Sequence, residues 1–140
     1  MKKILLSLLF ITCCFALIAC QTQVKEMKPK DNITDISISI SNGYGGLNED
    51  YILLMDQENS ISGFENVLQN AKKRSRDMDV ANEKPDYDLL IRYDNGETQG
   101  LHLLLGNTGE ESVIMYIGHE RQGYIVSPNE TKEIRKLLDV

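Results

Sequence analysis

Between Tyr87 and Val126 the chain is cut by turn signals into four short stretches of alternating apolar and polar residues, and this pattern limits the folds open to it. Tyr87, Leu89, Ile91 and Tyr93 share one side of the first stretch, with Asp88 and Arg92 on the other. Asp94-Asn95-Gly96 marks a hairpin, because Asn-Gly accepts the positive φ of tight turns. Leu101, Leu103 and Leu105 alternate with His102 and Leu104 before the turn at Gly106-Asn107-Thr108-Gly109. Val113, Met115 and Ile117 oppose Ile114 and Tyr116, a loop runs from Gly118 to Gly123, and Tyr124-Ile125-Val126 closes the series. Period two with short connections predicts consecutive antiparallel strands.

The flanking stretches extend this pattern. In Asp35 to Ser41 three isoleucines alternate with three serines, which predicts a strand burying Ile36, Ile38 and Ile40 and turning its serines to solvent. Asn42-Gly43-Tyr44-Gly45-Gly46 breaks that strand, in an irregular turn that leaves Tyr44 outward. Tyr51-Ile52-Leu53-Leu54-Met55 is continuously apolar and predicts a second, more fully buried strand. Ser62-Gly63-Phe64-Glu65 has the form of a capping box, and Phe64, Val67, Leu68 and Ala71 fall on one helical face. A helix over 62–75 follows, with Lys72, Lys73, Arg74 and Arg76 at its negative end. Ser127-Pro128-Asn129-Glu130 is a second capping box, ahead of the stripe Ile134, Leu137 and Leu138. The predicted order is β-β-α-β-β-β-β-α, an α+β domain over 32–140 whose antiparallel sheet carries both helices on one face.

The amino terminus is of another kind. Lys2-Lys3 precedes an apolar run from Ile4 to Ile18, interrupted only by Ser7 and Thr12, and polar Gln21-Thr22-Gln23 follows Cys20. About 20 apolar residues are needed to cross a bilayer, so the run is short for a permanent span and suited to a signal segment. The segment resembles a bacterial lipoprotein signal, with Leu17-Ile18-Ala19-Cys20 similar to its lipobox. That resemblance implies a diacylglycerol on the Cys20 thiol and cleavage between Ala19 and Cys20. Residues 1–19 are then the signal peptide and 20–31 a lipidated, flexible tether. Two acyl chains, at about 0.8 kcal/mol per buried methylene, suffice for stable attachment.

The only cysteines are Cys13, Cys14 and Cys20, so the domain holds none for a disulfide, a zinc site or a nucleophile. From Asp31 to Val140 twenty Asp and Glu face ten Lys and Arg, a balance that repels nucleic acid. The glycine loop at 43–46 lacks the Gly-Lys-Ser/Thr ending of a phosphate loop. His102 and His119 are the only histidines; their spacing fits no metal motif, and both read as surface residues. Neither a G-x-S-x-G elbow nor an S-x-x-K motif is present.

Asn42-Gly43-Tyr44-Gly45-Gly46-Leu47-Asn48, Tyr87-Asp88-Leu89, His102-Leu103 and Leu105-Gly106 are similar to small Bacillus-type lipoproteins of the YhfM kind, from about Ile33 to Leu138. The resemblance implies a Gram-positive surface lipoprotein and brings no catalytic residues. The expected function is a non-catalytic binding or accessory domain on the extracytoplasmic face of the cell membrane, without metal or cofactor. Its partner is then a protein, a peptide or a wall component, met near Tyr44, Arg92, His102 and Tyr116. The alternatives are a small cell-surface hydrolase or metal-dependent enzyme, and an inhibitor or immunity-type lipoprotein whose acidic body mimics an anionic partner.

Overall fold

The alternating stretches become neighbouring strands of one seven-stranded antiparallel sheet. The computed structural model describes residues 27–140; the segment expected to be a signal peptide, with Ala19 and Cys20, lies outside the described residues. The strands are β1 (Ile33–Ile40), β2 (Tyr51–Met55), β3 (Lys72–Lys73), β4 (Tyr87–Tyr93), β5 (Thr98–Leu104), β6 (Ser112–Tyr116) and β7 (Gly123–Val126). The helices are α1 (Glu58–Asn70) and α2 (Pro128–Leu138). Across the sheet the order is β2-β1-β4-β5-β6-β7-β3.

The main core forms on one face. Ile36 and Ile38 of β1, Leu89 and Ile91 of β4, Leu101 and Leu103 of β5, Ile114 of β6 and Val126 of β7 meet Ile61, Phe64, Val67 and Leu68 of α1 and Ile134 of α2. Met27, ahead of β1, joins them at 1% exposure. The helix α2 is fixed further by a buried hydroxyl pair, Ser112 Oγ to Thr131 Oγ1 at 2.9 Å.

The second face departs from simple alternation. Ser37 and Ser39, expected at the solvent side, are buried, while Ile40 at the strand's end is exposed. The cause is tertiary: the segments 41–50 and 74–86 fold back over the upper part of that face. Ser39 Oγ donates to the Asn48 carbonyl at 2.5 Å, Arg92 bonds Ser37, and Met78 is buried beside Gly123. A Cβ at Gly123 would lie 2.5 Å from Met78 Sδ, so only glycine lets this segment sit so close to β7.

Two other expectations are corrected. Although continuously apolar, β2 is an edge strand, with Ile52 61% and Leu54 56% exposed. Its pairing with β1 also carries an irregularity at Ile38/Ser39. The first helix begins at Glu58, not Ser62, behind an N-cap at Gln57 that makes no side-chain bond. Ser62 and Glu65 therefore lie inside the helix. It ends at Asn70 because the backbone turns extended at Ala71 and sends Lys72 and Lys73 to pair with β7. No basic residue stands in its last turn. The second capping box forms as the spacing predicts: Ser127 and Glu130 exchange side-chain and backbone bonds, with Pro128 opening the helix. Ser127→Ala should lower stability by about 1 kcal/mol in urea unfolding, whereas Ser62→Ala, where no cap exists, should stay within about 0.5 kcal/mol of the parent.

Candidate functional site

The hairpin between β4 and β5 builds the site. Its turn, centred on Asn95, sets the residue seven positions before opposite the residue seven positions after, and so pairs Asp88 with His102. Both side chains point to the second face, and both are 0% exposed. His102 Nδ1 lies 2.7 Å from Asp88 Oδ1. Asp88 Oδ2 accepts from the Asn48 backbone N–H at 2.8 Å. A carboxylate in this position only accepts, so it holds the imidazole proton on Nδ1 and leaves Nε2 as the acceptor of the neutral ring.

That acceptor is the anomaly of the structure. Nε2 is buried and, among the described residues, has no hydrogen-bond partner. The closest carboxylate oxygen, Glu120 Oε1, is 3.8 Å away, beyond hydrogen-bond range. Buried polar atoms are nearly always paired, so an orphan of this kind asks for an explanation.

Above the pair sits Tyr44, edge-on to the imidazole with centroids 5.5 Å apart. Expected outward, the tyrosine is instead part-buried, and its hydroxyl donates to the Glu83 carbonyl. Burial, then Glu83 and Glu120, push its phenol above the ordinary range, so it remains a donor. The Glu83 carboxylate is gripped by Arg74 through two bonds of 2.9 and 3.1 Å and accepts from the Asp79 amide at 2.7 Å. The Arg74 bond first, then that amide, hold the Glu83 carboxyl below its ordinary value. Burial pushes the Glu120 carboxyl up, but the amides of Gly118 and Glu120 and the nearby His102 outweigh it and leave that carboxyl lowered. Beside this arrangement an open hollow of about 330 Å³ is lined by Tyr44, Gly45, Val80, Glu120 and Arg121.

The four residues singled out from the sequence do not form one site. Tyr44 and His102 come together, but His102 is a buried residue and not a surface one, because the loop 41–50 covers the polar side of β5. Arg92 lies on the same face toward its far end, bonded to Asp35 at 2.5 Å and Ser37 at 2.8 Å, with its guanidinium over Tyr51. Tyr116 belongs to the helix side, edge-on to Tyr124, where burial pushes its phenol up to about 12. Asp88, Glu120 and Glu83 were not singled out. Asp88 was within reach of the turn register; the other two come from loops whose positions no periodicity encodes. Among the described residues no group of three or more His, Cys, Asp or Glu is placed to hold a metal.

Asp88→Ala would strand both the Nδ1–H and the Asn48 amide in a dry interior, and should cost about 3 kcal/mol in chemical unfolding. Because the folded Glu83 carboxyl lies below its ordinary value of 4.5, it stabilises the fold fully above that pH and ceases to do so as pH falls through the lowered value. Glu83→Gln should therefore flatten the acid limb of a plot of melting temperature against pH.

No curated protein matches this chain. Its fold is similar to that in the crystal structure of a thioesterase-like protein from Clostridium sporogenes, at 22% identity and a TM-score of 0.59, over 77% of this chain and 96% of that one. At such identity the likeness is one of fold alone. A family model described as YhfM protein matches residues 29–140, which cover the whole α+β domain, and the chain therefore belongs to the YhfM family.

Proposed function

We propose that this chain is a lipid-anchored domain on the outer face of the cytoplasmic membrane, held through Cys20, that captures an extended segment of a partner protein along β2. The observation that carries the reading is the open edge. Among the described residues β2 ends the sheet with one side unpaired, and Tyr51, Ile52 and Leu54 are exposed on it. Edges of this kind are normally blunted, as the short lysine strand β3 blunts the opposite one. An unblunted apolar edge suits strand addition, in which main-chain bonds give affinity and alternate side chains give specificity. Glu49, Asp50 and Asp56 border β2 at both ends, so the segment it prefers carries basic flanks.

Attachment rests on the lipobox-like Leu17-Ile18-Ala19-Cys20. Among the described residues no helix is long and apolar enough to cross a membrane. In this reading the acyl chains on Cys20 supply the anchor, and neither metal, cofactor nor nucleic acid takes part. The burial of both imidazole nitrogens supports a non-catalytic domain, since neither is open to a substrate in this conformation.

A second reading, a small hydrolase, is favoured by the fold shared with the thioesterase-like protein and by the Asp88–His102 pair. It requires Tyr44 to move so that Nε2 can take a proton from water. Hydrolysis of short acyl thioesters by the wild-type chain, absent in His102→Gln, would establish it.

For the leading reading, crosslinking in intact cells should capture a partner with the wild-type chain. Ile52→Lys and Leu54→Lys should lower the yield about tenfold with unchanged melting temperature. Equal capture by both variants would defeat the reading. Mass spectrometry should show an acylated Cys20 at the mature terminus, and Cys20→Ser should leave the membrane fraction.

A further inference from the structure

The orphaned Nε2 and Glu120 face each other as two acceptors with no donor between them. In the neutral ring Asp88 holds the single proton on Nδ1, so Nε2 presents a lone pair to a carboxylate oxygen 3.8 Å away. Neither atom can bond the other, and the distance is too short for a water to bridge with ordinary bonds on both sides. A second proton on the imidazole changes the chemistry. Nε2–H becomes a charged donor between two carboxylates, and charge-assisted bonds of this type close to about 2.7–2.9 Å.

We propose that His102 and Glu120 form a proton-operated latch, in which protonation of His102 draws Glu120 and the loop Ile117–Gln122 onto the sheet. The two partners are held differently. His102 is fixed by β5, by Asp88 and by the Tyr44 edge. Glu120 stands on a loop between β6 and β7, its carboxylate accepting from the Gly118 amide at 2.7 Å. A carboxylate has lone pairs enough to keep that bond and add another. The loop therefore moves and the strand does not.

The charged and titratable groups around the ring come from every element packed on it. Asp88 faces it from β4 and Glu120 from the β6–β7 loop, where the exposed His119 acts on the Glu120 carboxyl. Tyr44 faces it from the β1–β2 loop, with Glu83, Arg74 and Asp79 behind that tyrosine. Two carboxylates bracket the ring directly, and the arginines nearby, Arg74 and Arg121, are engaged by Glu83 and Asp77. Closing the latch also withdraws an acidic side chain from the wall of the hollow lined by Tyr44, Gly45, Val80, Glu120 and Arg121. Acidification makes that hollow less anionic, and a rise in pH restores it.

The test is a pH titration of the ¹⁵N-labelled full chain in detergent micelles, followed by imidazole and amide resonances. His119→Asn serves as the background, so that the loop carries no histidine of its own. The His102 Nε2 signal should move from the free-acceptor to the N–H position, and the Gly118 and Glu120 amides should shift with the same midpoint. Glu120→Gln, a change at a part-exposed loop position, should leave the imidazole titrating while the loop amides no longer follow it. Loop amides that ignore the imidazole in the background chain, or that follow it equally in Glu120→Gln, would overturn the latch. So would an Nε2 that never leaves the acceptor position while the fold persists.

Discussion

The burial of Asp88 beside His102 is the constraint around which the second half of the structure is arranged. A polar pair in the middle of a sheet must be shielded and given hydrogen-bond partners, and here every side-chain nitrogen and oxygen of the pair except His102 Nε2 has one among the described residues. Both conditions demand cover, and cover comes from two excursions of the chain. The loop after β1 brings the Asn48 amide to Asp88 and the Tyr44 ring to His102. The segment before β4 brings Met78, and the Glu83 carbonyl that holds the Tyr44 hydroxyl. The sheet therefore has an apolar core on one face and a mixed, partly polar one on the other.

This two-sided covering explains the unequal edges. β7 is followed by a two-residue strand of lysines that leads directly into the covering segment, so that edge is closed by the same chain that seals the site. At the other end nothing among the described residues follows β2 across the sheet, and Leu54, paired in register with Ser37, and Ile52, at the irregularity, both face solvent. One edge serves the fold and the other stays available. In an acidic domain with no thiol of its own to crosslink it, an apolar strip at a free edge is the surface with the most to gain from a partner.

Much of the fold was legible in local sequence, and the failures have a common cause. The turn at Asp94-Asn95-Gly96 carries its own chemistry, Gly96 taking φ +85°. The Ser127-Pro128-Asn129-Glu130 box likewise satisfies amides within its own four residues. The same logic failed at Ser62, where an identical spacing is overridden because the helix already begins a turn earlier, over Glu58 and Ile61. It failed again in β1 and β2, where exposure depends on neighbours that are distant along the chain. Alternation tells which residues share a side. It does not tell whether that side meets water, a loop or another layer.

By itself the sequence determined the antiparallel meander, the α+β class, the closing helix and, through the residues around Cys20, the expectation of a lipid anchor. Those are matters of period, turn residues and short motifs, all written within a few positions. Only the tertiary structure decided that Asp88 and His102 are sealed inside, that Glu120 stands across from an unpaired nitrogen and that β2 lies at an edge. Each of these depends on where a loop or strand from elsewhere in the chain comes to rest, and packing between distant segments leaves no local periodic trace.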